Sequence, residues 1–267
     1  MSREGSPWAG WANAEIYDAF VREGSVYRAL NEHLAALAEI GDARRVLDLA
    51  CGGGATAQAC LALLPPAGEL VGVDASEAMV AVARDRVRDP RARFAVASAA
   101  AVERVARGPF DRAVSNAAFW QFPTSRPVLA ALGRLLVPGG LLVFNVPAER
   151  VRGETAPVHP FQVALAREIE ASTGRPFPRT ATLVDPERLD RRLGEAGFAS
   201  ERRERFDIRC RQSELMELME IPAMLQPITP ALSEQERLAA VGAARERSDP
   251  EQRVSVPWIY FVARRSG

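Results

Sequence analysis

The chain contains no lysine. Its 34 basic residues are all arginine and 34 acids balance them, so the formal net charge is zero. Without lysine there is no Schiff-base nucleophile and no phosphate-cradling G-x-x-x-x-G-K-[ST] loop, which excludes pyridoxal chemistry and P-loop nucleotide hydrolysis. A neutral balance lacks the electrostatic footprint of a nucleic-acid or membrane-surface binder. The three cysteines, Cys51, Cys60 and Cys210, lie far apart with no C-x-x-C pair. No histidine stands near them at metal spacing, so neither a zinc site nor a disulfide framework is expected. No run approaches the ~20 apolar residues of a helical membrane span, and Met1 to Gly10 lacks the apolar core and basic flank of a leader. These absences set the expectation of a cytoplasmic protein with no metal, no nucleic-acid partner and no membrane contact. Homo-oligomerisation stays open.

What is present suits a globular α/β protein. Of 267 residues, 48% are hydrophobic and 25% charged, enough to bury one large core or two small ones. From Arg44 to Val146, short Val- and Leu-rich runs alternate with Ala- and Arg-rich helical stretches, the pattern of parallel β-α units. Strands are predicted at Arg44–Ala50, Glu69–Asp74, Arg93–Ser98, Phe110–Ser115 and Gly140–Val146. Helices fill the gaps at Ala55–Leu64, Ser76–Val87 and Arg126–Leu136, two of them stopped by proline pairs or Pro-Gly. Five such steps imply a doubly wound sheet with right-handed crossovers. Ahead of it, Ala14–Glu39 reads as one or two amphipathic helices broken near Gly24. After it come a helix at Asp185–Gly197 and strands at Glu201–Arg209 and Val254–Arg264. Residues 1–43 are therefore expected to form an N-terminal helical cover. Residues 44–267 form the main domain, with helical cap insertions at about 147–182 and 210–250.

Chemistry concentrates in Val46-Leu47-Asp48-Leu49-Ala50-Cys51-Gly52-Gly53-Gly54, an apolar strand tipped by an acid and followed by a glycine-rich turn entering a helix. Small residues let backbone N–H groups approach a ligand closely. The acid selects which ligand. A pyrophosphate would be repelled by a carboxylate there, whereas an adenosyl amino acid with a positive sulfonium is accommodated. The run matches [DE]-x-[GA]-x-G-x-G at Asp48, Ala50, Gly52 and Gly54, and so resembles the first motif of the class I methyltransferases, small-molecule members above all. Val71 to Met79, with Asp74 at the strand end, is similar to their second motif. Phe110 to Asn116 resembles their fourth strand, and Arg134 to Gly140 their R-x-L-x-P-G-G turn. The resemblance covers roughly Val46–Val146, with a weaker echo at Asp185–Phe198.

That resemblance implies a seven-stranded, mostly parallel α/β sheet with an antiparallel last strand and helical insertions forming a lid. It also implies S-adenosyl-L-methionine as cofactor and a small-molecule acceptor methylated at an O, N or C nucleophile, with specialised metabolism as one setting. Two alternatives share the pocket: a non-methylating reaction, and a non-catalytic S-adenosylmethionine-binding protein. A nicotinamide oxidoreductase is the rival at the level of fold. The cofactor-binding residues implied are Asp48, Ala50, Cys51, Gly52 and Gly54 on the first turn, Asp74, Ala75 and Met79 on the second, and Ser98, Ala99 and Asn116. Asp74 takes the ribose hydroxyls. Ser98 stands where the family usually carries an adenine-binding Asp, so that contact passes to a hydroxyl or to backbone.

Each candidate has a plainer role as well: Asp48 bracing its turn, Asp74 capping the helix near Ser76, Cys51 as a small turn residue, Asn116 as a loop cap. Asn116-x-x-Phe119 resembles the N-P-P-[YF] loop of enzymes that methylate nucleobase amines, but both prolines are alanine here. Tyr17, Arg22, Tyr27 and Arg28 on the N-terminal helices are expected either to fold over the cofactor, with Tyr17 and Arg28 touching it, or to form a solvated face. Trp8 and Trp11 either close the site or dock a partner. Of the two histidines, His33 suits packing, and His159 is the candidate catalytic base, facing the acceptor from the first insertion. The Met- and Leu-rich segments near Leu215 and Met224 suit an apolar acceptor or ordinary core.

Overall fold

The computed structural model describes residues 8, 10–122, 125–177, 184–227 and 229–267. The expected far end of the first insertion, 178–183, and the leading residues 1–7 lie outside them. Two helices open the chain, α1 (Trp11–Glu23) and α2 (Ser25–Leu37), and they meet at Gly24, whose extended backbone ends one and starts the other. Then follow β1 (Arg45–Leu49), α3 (Ala55–Leu63), β2 (Glu69–Asp74), α4 (Glu77–Arg86), β3 (Ala92–Val96), β4 (Phe110–Ser115), α5 (Arg126–Leu135) and β5 (Leu136–Pro147). The chain continues through α6 (Pro160–Thr173), α7 (Pro186–Glu195), β6 (Phe198–Arg211), α8 (Gln212–Glu220), α9 (Pro222–Leu225), α10 (Glu234–Glu246) and β7 (Arg253–Arg265). Among the described residues, seven strands form one sheet in the order β3-β2-β1-β4-β5-β7-β6. All neighbours from β3 to β5 are parallel, and β7 runs antiparallel to both β5 and β6.

Strand alternation sorts the side chains onto two faces. Leu47, Leu49, Ile259, Phe261 and Ala263 join a core with α5 and α7. Val46, Tyr260 and Val262 join the opposite core, where α2, α3 and the insertion helices α6, α8 and α10 pack. Asp48 follows Val46 onto that second, apolar face and is fully buried there. From β1 the chain winds to β2 and β3 on one side and returns through β4 to β5 on the other, so the reversal falls between β1 and β4. In open α/β sheets the crevice at the carboxyl ends of such strands is where ligands sit.

Boundaries shift from the sequence expectation for local reasons. β1 stops at Leu49 because Ala50 turns into the left-handed region, φ 59°. β5 starts at Leu136 instead of Gly140, since Leu136 pairs with Phe110 and the Val137-Pro138-Gly139 turn is absorbed as an irregularity. β3 ends at Val96, two residues early. β6 extends to both sides of Glu201–Arg209 because its long partner β7 supplies register from Arg265 to Arg253. β6 is an edge strand, and its exposed run Glu201-Arg202-Arg203 discourages further pairing. Among the described residues, no helix is long and apolar enough to cross a membrane.

Candidate active site

The turn after β1 is built from backbone conformations that side chains disfavour. Ala50 sits at φ 59°, Gly52 at φ 50° and Gly54 at φ 83°. A left-handed alanine costs roughly 1–2 kcal/mol, and such strain persists where the surroundings over-determine it. The determinants are visible. Cys51 N–H donates to the Val73 carbonyl at 3.1 Å, locking the turn to β2. The Asp74 carboxylate accepts from Gly52 N–H at 3.0 Å and from Ser76 N–H at 2.8 Å, so one acid ties together both strand-end turns. A Cβ on Gly54 would come within 3.1–3.3 Å of Val87 and Ala83, which keeps α3 close against α4.

Below the turn lies Asp48, with zero exposure and with both carboxylate oxygens lacking a hydrogen-bond partner among the described residues. Burial, and then the nearby Asp74 charge, push its pKa from 3.8 up to about 8. Asp74 is also raised by burial, though its backbone donors pull the other way. Burial and then the two carboxylates lift the Cys51 thiol far above its usual range, which makes it a turn residue and not a thiolate nucleophile.

An open cleft of about 360 Å³ lies over this turn, floored by Ala50, Cys51, Gly52 and Gly53. Tyr17, Asp18 and Val21 of α1 and Tyr27 and Asn31 of α2 form its roof, while Thr56, Arg86 and Asn116 close the sides. Tyr17 and Tyr27 meet edge to face at 5.7 Å, and burial raises the Tyr27 hydroxyl to about 12, so both stay neutral. A polar chain runs along one wall. Thr56 Oγ1 and Asn116 Nδ2 both donate to Asn31 Oδ1 at 2.7 Å. Asn145 Nδ2 donates to Asn116 Oδ1 at 2.6 Å, and Asn145 Oδ1 accepts from Ala117 N–H. On the other wall Asp18 of α1 pairs with Arg86 of α4 and with Arg22.

Among the expected site residues, then, Tyr17, Ala50, Cys51, Gly52 and Asn116 line the cleft, with Asp48, Gly54 and Asp74 forming its support. Others stand elsewhere. Arg28 is exposed, because the buried face of α2 is Val26, Tyr27, Leu30, Asn31 and Leu34 and position 28 falls outside it. Met79 is buried against Ala14 and Ala78, while Ala75 and Ser98 are exposed and Ala99 half-buried. Ser98 occupies the capping position of a short 3-10 stretch, Ala99–Arg104. His159 is not a cleft residue: it caps α6, its N–H donating to Gln162 Oε1 at 3.1 Å and its ring bonding the Ser255 backbone. Burial lowers its pKa, as fits a structural imidazole. His33 packs flat on Phe206 at 4.1 Å and pairs with Glu204. Trp8 contacts Tyr17 at 5.4 Å and Trp11 is exposed.

Sequence reasoning missed Asp18, Asn31, Thr56 and Arg86. Helical spacing from Tyr27 would have placed Asn31 on the same face. Nothing local marks Arg86, since its partner lies 68 residues away.

Set against known proteins, residues 46–140 match the profile of the methyltransferase domain. Trans-aconitate 2-methyltransferase of Methylobacterium radiotolerans is 33% identical over 193 residues, 71% of this chain and 66% of that protein. The protein of the same name from Variovorax paradoxus is 35% identical over 137 residues, 51% of this chain and 50% of its own. The chain thus spans about half the length of the latter and about two thirds of the former. The crystal structure of the [4+2]-cyclase SpnF shares the fold at a TM-score of 0.59, with 22% identity over 91% of this chain and 84% of that one. With the motif-bearing turn, the sheet order and these relatives in agreement, the chain belongs to the class I S-adenosylmethionine-dependent methyltransferases.

Proposed function

We propose that the chain transfers a methyl group from S-adenosylmethionine to a small carboxylic acid. The observation that carries this is Asp48: a fully buried carboxylate with two unsatisfied oxygens, under a glycine-rich turn at the reversal of the sheet. An unpaired buried acid is costly unless a complementary group completes it, and a cationic adenosyl amino acid does so. The residues present fit that cofactor. Ala50 and Gly52 hold the turn open for close approach, and the Asp74 carboxylate keeps acceptor capacity for a ribose hydroxyl beyond its three backbone donors. Asn116 and Asn31 offer polar atoms on one side, and Tyr17 covers the other.

When bound, S-adenosylmethionine supplies a methyl already electrophilic on a positive sulfur that leaves without protonation. The protein's part is alignment and exclusion of water, worth about 7–11 kcal/mol where the geometry is held. In this reading residues 1–43 are the cover, and the insertions at about 147–182 and 210–250 cap the acceptor. The relatives' name supports a carboxylate acceptor, and a carboxylate oxygen is ionised at neutral pH and needs no base. Both histidines are engaged elsewhere in the fold.

Calorimetry tests the cofactor assignment. Asp74→Ala is expected to weaken S-adenosylmethionine binding by about 1–3 kcal/mol, the scale of a charge-assisted hydrogen bond. Wild-type protein that ignores S-adenosylmethionine, or a variant that binds it as tightly as wild type, rules the assignment out. Mass spectrometry of trans-aconitate after incubation should show the gain of one methyl.

A further inference from the structure

We infer that Arg150, stacked on Trp120, anchors a second carboxylate of the acceptor, one that is not itself methylated; this rests on the proposed methyl transfer to a carboxylic acid. Most arginines here are either ion-paired, as Arg86 is with Asp18, or exposed to solvent, as Arg28, Arg93 and Arg104 are. Arg150 is neither. It is half-buried, its guanidinium carbon lies 4.0 Å from the Trp120 ring centroid, and among the described residues it makes no hydrogen bond or ion pair through its side chain. Burial lowers its pKa, and neighbouring Glu149 offsets this only in part. A desolvated guanidinium stacked on an indole keeps its in-plane N–H fork available, the geometry that receives a carboxylate bidentately.

Neither Arg150 nor Trp120 lines the cleft over the glycine turn, and Trp120 packs toward the α5 and α7 core; both are tied to the cleft through the Asn116 loop. Arg150 ends the 3-10 turn that follows β5, and its carbonyl accepts from Val184 N–H at 2.6 Å, which pins the backbone that presents the side chain. Trp120 is held by its indole N–H donating to the Ala117 carbonyl at 3.1 Å. Ala117, strained at φ 53°, directly follows Asn116 of the cleft wall and donates to Asn145 of β5. Cofactor turn, Asn116 loop and Arg150 thus stand in sequence along the carboxyl ends of β1, β4 and β5.

Which carboxylate Arg150 holds follows from charge. Donated N–H bonds draw electron density from the carboxylate oxygens and blunt their nucleophilicity, and esterifying a paired carboxylate would strand the guanidinium. The gripped group is therefore the spectator. The acceptor class is a di- or polycarboxylate, with one group on Arg150 and another at the methyl.

Calorimetric titration of trans-aconitate, citrate and succinate into the full chain, with S-adenosylhomocysteine present, tests this. Crotonate serves as the monocarboxylate control, and Arg150→Met and Arg150→Lys are titrated in parallel. We expect at least one of the three acids to bind wild type, to lose about 10- to 100-fold in affinity in Arg150→Met, and to recover in part in Arg150→Lys. Crotonate binding and S-adenosylhomocysteine affinity should stay unchanged. The anchor is overturned if none of the three acids binds wild type, if Arg150→Met alters their affinity less than about twofold, or if crotonate suffers equally. A chain that fails to bind S-adenosylhomocysteine sinks the methyl-transfer proposal, while the same acids titrated without it still report on Arg150.

Discussion

At the scale of single residues, Asp48 is the point where the folding of this chain and its proposed ligand chemistry pull in opposite directions. Its carboxyl titrates at about 8 in the folded chain against 3.8 ordinarily, chiefly through burial. Between those values the folded chain binds more protons than the unfolded one, so stability falls as pH rises from about 4 to 8 and the loss is complete above that. Asp48→Asn keeps the shape and removes the charge. Urea titration without ligand should find the advantage of this variant over wild type growing by roughly 1.4 kcal/mol per pH unit from pH 5 to pH 8, about 4 kcal/mol in all. A difference that stays constant over that range would show that Asp48 is not held protonated. The turn above Asp48 was legible in the sequence because its geometry admits only small residues at Ala50, Gly52 and Gly54. The desolvation of the carboxylate was not, because it depends on apolar helices packed from elsewhere in the chain.

Among the elements, the first insertion shows how a chemically suggestive residue acquires a structural task. His159 precedes Pro160 and α6, and the first turn of the helix needs acceptors for its orphan N–H groups whatever the imidazole could do elsewhere. Its ring turns to the Ser255 backbone, far along the chain on β7. His159→Ala is expected to lower unfolding free energy by about 1–2 kcal/mol, as for one lost buried hydrogen bond, while kcat stays within about twofold. A hundredfold fall in kcat with stability intact would restore the residue to the chemistry. The cap of α2 is another tertiary solution. Glu214 of α8 accepts from Ser25 N–H at 2.7 Å and Val26 N–H at 3.1 Å, satisfying two orphan donors from 188–189 residues away. No cap box near Gly24 announces it.

Over the whole molecule, the N-terminal helices are fastened to two separate bodies. Asn13 of α1 accepts from Ala223 N–H of α9 at 3.0 Å, and Asp18 grips Arg86 of α4 beside the glycine turn. The Asp18 and Arg86 side chains are only 12% and 7% exposed, so deleting one leaves a buried charge unpaired. Asp18→Ala should cost about 3–5 kcal/mol and raise hydrogen exchange across α1, whereas Asp18→Ala with Arg86→Met should recover much of that loss. If the double variant exchanges as fast as the single one, the bridge is not what holds α1 over the cleft.

Local pattern alone determined β2 at Glu69–Asp74, β4 at Phe110–Ser115, the hinge at Gly24 and the acid-tipped turn, because strand period, backbone strain and small-residue sterics act over a few neighbouring residues. The roof and walls of the cleft were decided only by tertiary structure. Asp18 with Arg86, and Asn31 with Thr56 and Asn116, are contacts between residues 25–85 positions apart, and outside the cleft lining Arg150 on Trp120 is another of this kind. Burial turns such contacts from solvated side chains into desolvated charges and networks, and burial belongs to the packed chain rather than to any segment of it.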